Sequence, residues 1–395
     1  MVIRKRYLLE LMKYKDKPFV KVLTGLRRVG KSTILNMFIN TLIEEGVEEN
    51  HILKINFELP QFFKIENYQQ LTEYVMHWSS HKKGKLYLFL DEIGRIEKWE
   101  KAVNAFHAKG MYDIYITGSN ADLLSSDLAT FLAGRYIEIL VYPFSYNEFL
   151  LLYEDASFKD YVIFGGMPLI APFKLDYETS MRALKDSYHS AILQDVVRRY
   201  SIRNVSLLEN ILTYIFANTS KTFSGLSISK YLKSQNISVS ADTVINYLNY
   251  VEEAFLIYKV KRNDFLSKEI LKTEEKFFIA DHGYREALVG DNMRSIELIL
   301  ENIVYTELKR RGYDVYIGKV QNNEIDFVAY KNNKPTYFQV CYLLANQTTI
   351  DREFGIYKKV LDNYKKYVIS MDEINFSQDG IIHLNIVDFL KDETI

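Results

Sequence analysis

A single cysteine, two tryptophans and six prolines are all that 395 residues contain of these types. One cysteine cannot close an intrachain disulfide, which excludes a disulfide-stapled scaffold and suits a reducing compartment. Charge of one sign is also lacking: 50 Lys/Arg stand against 51 Asp/Glu, a net charge of −1. The chain as a whole therefore makes no electrostatic statement about nucleic acid, and any basic surface must be local. No apolar run approaches the ~18 residues that span a bilayer. The opening MVIRKRYLLELMKYKDK lacks the apolar core of a signal peptide. A cytoplasmic protein without membrane attachment is expected. Repeats, low-complexity tracts and disordered linkers are missing as well. What remains is the composition of an ordinary globular protein, of a length that fits two or three domains. The 30 Tyr and 24 Phe could serve as aromatic platforms for nucleic-acid bases, but the codon bias of an AT-rich genome explains them more simply.

The strongest pattern lies near the start. KPFVKVLTGLRRVGKSTILNMFINTLIEE opens with an apolar strand, Phe19 to Thr24, and ends in an amphipathic helix. Between them runs Gly25-Leu26-Arg27-Arg28-Val29-Gly30-Lys31-Ser32-Thr33, the GxxxxGK[ST] phosphate loop in its required strand-and-helix context. Glycines let backbone N–H groups turn inward around phosphate oxygens without Cβ clashes. The helix N-terminus adds its partial positive charge. Lys31 is expected on the β/γ-phosphates of ATP and the Ser32 hydroxyl on Mg2+. Arg27 and Arg28 either touch phosphate or pack outward.

Such a loop needs a carboxylate partner. KLYLFLDEIGRI supplies an apolar strand, Leu86 to Leu90, ending in Asp91-Glu92. A buried parallel strand reads as a continuous apolar run, with ligands at its C-terminal end. Asp91 is expected in the Mg2+ shell, and Glu92 is placed to orient or deprotonate the attacking water. The adjacent acid pair, with an extra strand at His51–Glu58, points to a hydrolysing ATPase rather than a kinase or GTPase. YDIYITGSNADLL ends a further strand at Thr117-Gly118-Ser119-Asn120. Asn120 is the first choice for a γ-phosphate sensor and Ser119 the second, with a simple turn as the alternative. Arg135 reads either as an arginine finger, for this or a neighbouring subunit, or as a surface arginine.

Taken together, TGLRRVGKST, LFLDEI, ITGSNADLL and GRYIEILVYPFSYNEF resemble the prokaryotic AAA+ ATPases that carry a C-terminal domain of unknown function. The resemblance implies an α/β P-loop core, a winged helix and a restriction-endonuclease-like module, with ATP and Mg2+ as cofactors and homo-oligomers as an option. It implies no physiological substrate. The expected domains are 1–155 for the ATPase core, 156–200 for a helical lid or linker, 201–272 for a winged helix-turn-helix, and 273–395 for the nuclease-like module. FGGMPLIAP punctuates the first boundary.

Within the middle segment, LSISKYLKSQ, a tight turn, a second helix and a β-ribbon follow one another. Ser240 can cap the second helix. Val244, Tyr247, Leu248, Val251 and Phe255 form its buried stripe. Thr243 and Asn246 are left outward near its N-terminus, where a recognition helix meets bases. Lys259 and Lys261 share a face of the ribbon, with Arg262 at its end. From Val196 to Lys272 there are 11 Lys/Arg against 6 Asp/Glu, a local basic excess that suits double-stranded DNA. Winged helices also serve as lids and protein contacts, so that alternative stays open.

At the end, SIELILENIVYTELKRRGYDVYIG reads as a helix carrying Glu301, and EIDFVAYKNNKPTYFQVC as a hairpin. Strand alternation puts Glu324 and Asp326 on one face, and Gln339 and Cys341 on one face of the next strand. Glu301, Asp326, Gln339 and Cys341 resemble the Glu, Asp, Glu/Gln and Lys positions of the PD-(D/E)xK nucleases. Gln339 keeps an oxygen ligand but drops a charge. Cys341 removes the cation that would position water and stabilise phosphorane charge. The module is therefore expected to be degenerate, with Lys319 or Lys331 as replacements only if they migrate into the site. His77 and His81 stand four apart on a helix, but Trp78 occupies the place where a metalloprotease carries Glu.

Overall fold

The computed structural model describes residues 2–118, 132, 134–264, 269–320 and 323–394. The chain divides into two compact units: the residues up to Val141 with Glu253–Phe255, and residues 142–252 with 256–395. The boundaries expected at 155, 200 and 272 all fall inside the second unit. No helix among the described residues is long and apolar enough to cross a membrane.

The first unit is built on five strands: β1 (Val20–Thr24), β2 (Ile52–Asn56), β3 (Leu86–Asp91), β4 (Tyr112–Thr117) and β5 (Tyr136–Leu140). Their spatial order is β2-β3-β4-β1-β5, and every pairing is parallel. β1, β3 and β4 are buried along their whole length, which is why they read as unbroken apolar runs instead of alternating ones. The helix Lys31–Glu44 buries Ile34, Leu35, Met37, Phe38 and Leu42. Phe38 packs 5.2 Å from Tyr115, which stacks on Phe89 at 4.7 Å. Because all five strands run the same way, their C-terminal ends share one rim of the sheet. Gly25, Asn56, Asp91 and Thr117 follow or end those strands and are gathered there.

The second unit begins with helices Tyr146–Leu152, Phe158–Phe164 and Tyr177–Ala191, the last running on into a π-helical turn at Ile192–Arg198. Helices Val205–Ala217, Gly225–Ser234 and Ala241–Glu253 come next. Ser240 caps the last of these, accepting from Thr243 N at 3.1 Å. Of its expected buried stripe, Val244, Leu248 and Val251 are covered, Phe255 is buried too but lies past the helix end in a left-handed turn, and Tyr247 is only half-buried.

An eight-stranded sheet closes this unit. Its strands are β6 (Thr222–Phe223), β7 (Ile257–Asp264), β8 (Glu269–Ile279), β9 (Asp314–Val320), β10 (Asn323–Lys331), β11 (Lys334–Val340), β12 (Lys366–Ser370) and β13 (Ile382–Asn385). The order is β13-β12-β11-β10-β9-β7-β8-β6. The ribbon β7–β8 is thus no free-standing wing, since β7 pairs in parallel with β9 through Arg262↔Ile317 and Asn263↔Gly318. The helix Ile296–Arg310 buries Ile299, Leu300, Ile303, Val304 and Leu308. Asn302 on that helix is fully buried and hydrogen-bonded through both its oxygen and its nitrogen. It accepts from Ile279 N at 2.9 Å and Thr219 Oγ1 at 2.8 Å, and donates to Ile279 O at 3.0 Å. β10 and β11 meet in a two-residue turn at Asn332-Asn333, both with positive φ (51° and 61°), the backbone of a tight hairpin whose twist matches the strands.

Candidate active site and a second, acidic cluster

The phosphate loop takes the shape its glycines permit. Gly25 has φ +128°, and a Cβ there would lie 2.4 Å from Val141 O. Arg28 and Gly30 also have positive φ (65° and 98°), the local reversals that a tight loop demands. Lys31 is 5 % exposed, and its Nζ donates to Gly25 O at 2.8 Å and Leu26 O at 3.1 Å. Arg28 is exposed and Arg27 half-buried.

Asp91 is the hub of the rim. Its Oδ1 accepts from Ser32 Oγ at 2.9 Å and from Thr117 Oγ1 at 2.5 Å, and its Oδ2 accepts from Asn56 Nδ2 at 3.0 Å. One fully buried carboxylate thereby ties the loop helix to the ends of β2 and β4. Glu92 follows with φ 55°, a left-handed backbone that costs a non-glycine residue about 1–3 kcal/mol. Thr117 Oγ1 holds it there, accepting from Glu92 N at 3.0 Å. Burial pushes the Glu92 carboxyl above the usual carboxylate range; the Lys31 ammonium opposes this and the Asp91 charge adds to it.

The structure brings together the loop residues, Ser32, Asp91 and Glu92. Ser119 and Asn120 lie outside the described residues. Arg135 sits at the N-terminal end of β5, exposed, its Nη1 donating to Asn104 Oδ1 at 2.9 Å. A five-residue strand rises roughly 16 Å, so Arg135 stands at the opposite rim from the loop of its own chain, and an arginine finger in cis is ruled out on that ground. Asn56 and Thr117 were missed as partners of Asp91. The available signal was position alone, since both close a strand whose C-terminal end faces the loop.

In the second unit, Glu301 on its helix and Asp326 on β10 do converge. Gln339 lies opposite Asp326, but its Oε1 accepts from Asp326 N at 3.2 Å, so the oxygen expected as a ligand is used on backbone. Cys341 belongs to an apolar cluster with Ile325, Val328, Tyr337 and Phe354, and burial pushes its thiol well above the ordinary range. Neither expected replacement lysine fills the gap: Lys331 lies over the Tyr313 ring at 5.1 Å, and Lys319 is paired in register with Glu324 through the β9–β10 ladder. The lysine present is Lys276 of β8, whose Nζ lies 2.6 Å from Glu301 Oε2, 3.2 Å from Glu324 Oε1 and 3.6 Å from Asp326 Oδ1. In sequence it is only a lysine between Glu274-Glu275 and the apolar run of EEKFFIA.

The candidate DNA contacts fare unevenly. Arg262 is tied to Glu324 Oε2 at 2.9 Å. Lys259 donates to Asn249 Oδ1 at 2.9 Å and faces Glu252 and Glu275 at 3.6 and 3.8 Å. Thr243 takes part in the Ser240 cap. Lys261 and Asn246 remain exposed. Two of the three ribbon cations are therefore already neutralised by carboxylates of the same chain.

Parallel sheet, glycine loop and acidic strand end together define a P-loop ATPase of the AAA+ class. An AAA domain family model matches residues 17–150, and a domain of unknown function matches residues 155–295. An uncharacterized protein of Haemophilus influenzae is 35% identical over 99% of this chain and 98% of its own length. One from Methanocaldococcus jannaschii is 31% identical over 93% of this chain and 85% of its own. Residues 17–150 belong to the AAA domain family, and the chain as a whole belongs to one family with the Haemophilus protein. Among solved structures, a Walker-type ATPase of Pyrococcus abyssi is similar at TM-score 0.48 and 17% identity, covering 73% of this chain and 96% of that one.

Proposed function

We propose that the first unit hydrolyses ATP with Mg2+, and that the observation carrying this reading is the Asp91 hub set beside Glu92. The residues fit the nucleotide: Gly25 lets the loop pass close to the Val141 backbone, where a Cβ would strike Val141 O, and the Lys31 ammonium lies against the loop carbonyls of Gly25 and Leu26. Ser32 and Asp91 would hold Mg2+, which when bound supplies charge neutralisation at the phosphates. Lys31 places a point charge on the β/γ oxygens. Glu92 orients water and takes its proton. Arg135, at the far rim, is placed to serve a neighbouring copy as its finger. Lys31→Ala should lose nucleotide binding. Glu92→Gln should bind ATP and turn over at background, since its shape stays while the base is gone. Equal turnover by Glu92→Gln and wild type would overturn these roles.

The second unit, in this reading, is a winged helix fused to a nuclease-like fold that does not cleave. Exposed Asn246 on the helix Ala241–Glu253 and exposed Lys261 form its DNA-facing surface. The competing reading is an ATP-gated protein-interaction switch, favoured by the ion pairs that occupy Lys259 and Arg262. The rate of ATP turnover with and without double-stranded DNA decides between them: stimulation supports the DNA reading, indifference the switch, and new strand ends a nuclease.

A further inference from the structure

In the eight-stranded sheet, one ammonium holds a position that carboxylates from two elements surround. Lys276 and Phe278 share a face of β8 by strand alternation. Phe278 stacks on Tyr305 of the helix Ile296–Arg310 at 4.2 Å, and one turn earlier on that helix Glu301 meets Lys276. Glu324 and Asp326 approach the same Nζ from β10. Burial by itself would pull the lysine down, but Glu301, Asp326 and Glu324 outweigh it and hold the ammonium above the ordinary lysine range.

The remaining oxygens are largely spoken for. Glu324 Oε2 accepts from Arg262 Nη2 at 2.9 Å, and Asp326 Oδ2 accepts from Val340 N at 2.9 Å. Gln339 Oε1 is used on Asp326 N. A divalent ion at a carboxylate centre requires oxygens at about 2.0–2.6 Å, and Nζ stands where those of Glu301, Glu324 and Asp326 point. Nor is the lysine on a loop that could swing away. Its backbone is registered to Thr222 of β6 on one side and Val260 of β7 on the other, and its side chain is 5% exposed. Among the described residues, no group of three or more His, Cys, Asp or Glu is arranged to hold a metal ion.

We propose that Lys276 is a built-in counter-ion filling the cation position of the Glu301–Glu324–Asp326 cluster, so that this centre takes no divalent metal while the lysine is present and takes one when its charge is removed. The inference deepens the reading of this layer as non-cleaving, and its test reads metal binding, so the two can fail separately.

The test is a Mn2+ titration of full-length, nucleotide-free protein, following free Mn2+ by electron paramagnetic resonance. Any ion held by the phosphate loop is common to all variants. Lys276→Gln should bind one more Mn2+ per chain than wild type, and Lys276→Gln/Asp326→Asn should return to the wild-type count. Asp326→Asn alone should leave that count unchanged. Equal counts in wild type and Lys276→Gln overturn the proposal, as does loss of a bound Mn2+ from wild type on Asp326→Asn, an arm that does not depend on the lysine variant folding. Should Lys276→Gln unfold in metal-free buffer, Mn2+ should restore its circular dichroism, and failure to do so counts against the proposal. Mn2+-dependent DNA cleavage by wild type would sink the non-cleaving reading; equal Mn2+ counts without cleavage would sink only the counter-ion.

Discussion

Glu92 joins an unfavourable backbone to an unfavourable charge. It is left-handed at φ 55°, and burial raises its carboxyl above the usual range. A raised pKa keeps the base protonated to higher pH, so ATP turnover should climb through a limb above the ordinary glutamate value of about 4.3. A kcat–pH profile that levels off at the ordinary value would contradict this. Gly25 makes the complementary point about shape. Gly25→Ala adds a Cβ 2.4 Å from Val141 O at φ +128°. The expected result is loss of nucleotide binding together with about 1–3 kcal/mol of stability. Lys31→Ala should lose binding without a comparable fall in urea stability, and that difference separates cradle from charge. The loop was legible in sequence because its residues are contiguous and each glycine answers a local backbone demand. Asn56 and Thr117 were not, because only strand order brings them to Asp91.

At the scale of elements, pairing with carboxylates of the same chain distinguishes structural lysines from candidate binding ones. Lys21 on β1 is fully buried against Asp113 on β4, and burial draws its ammonium below the ordinary lysine range. Asp113 also accepts from Tyr115 Oη at 2.7 Å and Asp16 N at 2.9 Å. Asp113→Ala leaves the ammonium unpaired and should cost about 3–5 kcal/mol in urea denaturation. Lys21→Met/Asp113→Asn removes both charges yet keeps an acceptor for Tyr115 and Asp16, so it should cost less. A double variant as unstable as Asp113→Ala would show that the pair does not act as a unit. On the ribbon, Lys261→Glu should lower DNA affinity and the salt slope by about one ion. Lys259→Glu brings a third carboxylate towards Glu252 and Glu275 and should lower the melting temperature instead. Indistinguishable effects of the two on DNA titrations at several salt concentrations would remove the surface proposed for the ribbon.

For the whole molecule, the decisive feature is that β7 lies between β8 and β9. A fragment starting at residue 273 loses β7, splits β8 and exposes an edge of β9, so it should give no cooperative unfolding transition. A fragment of residues 142–395 keeps all eight strands and should unfold cooperatively; equal behaviour by circular dichroism would overturn this view of the sheet. By itself the sequence determined the ATPase unit, since strand, loop, helix and acidic strand end are each written in consecutive residues with periods of their own. It also determined that Asp326 faces Gln339, because the Asn332-Asn333 turn fixes the register of a hairpin only two strands wide. Tertiary structure alone decided that β7 joins β9, that Arg262 and Lys259 are neutralised within the chain, and that Lys276 enters the acidic cluster where Cys341 does not. The physical reason is the same in each case: a period of two tells which face a strand side chain takes, but which neighbour meets that face depends on strand pairings between segments far apart in the chain.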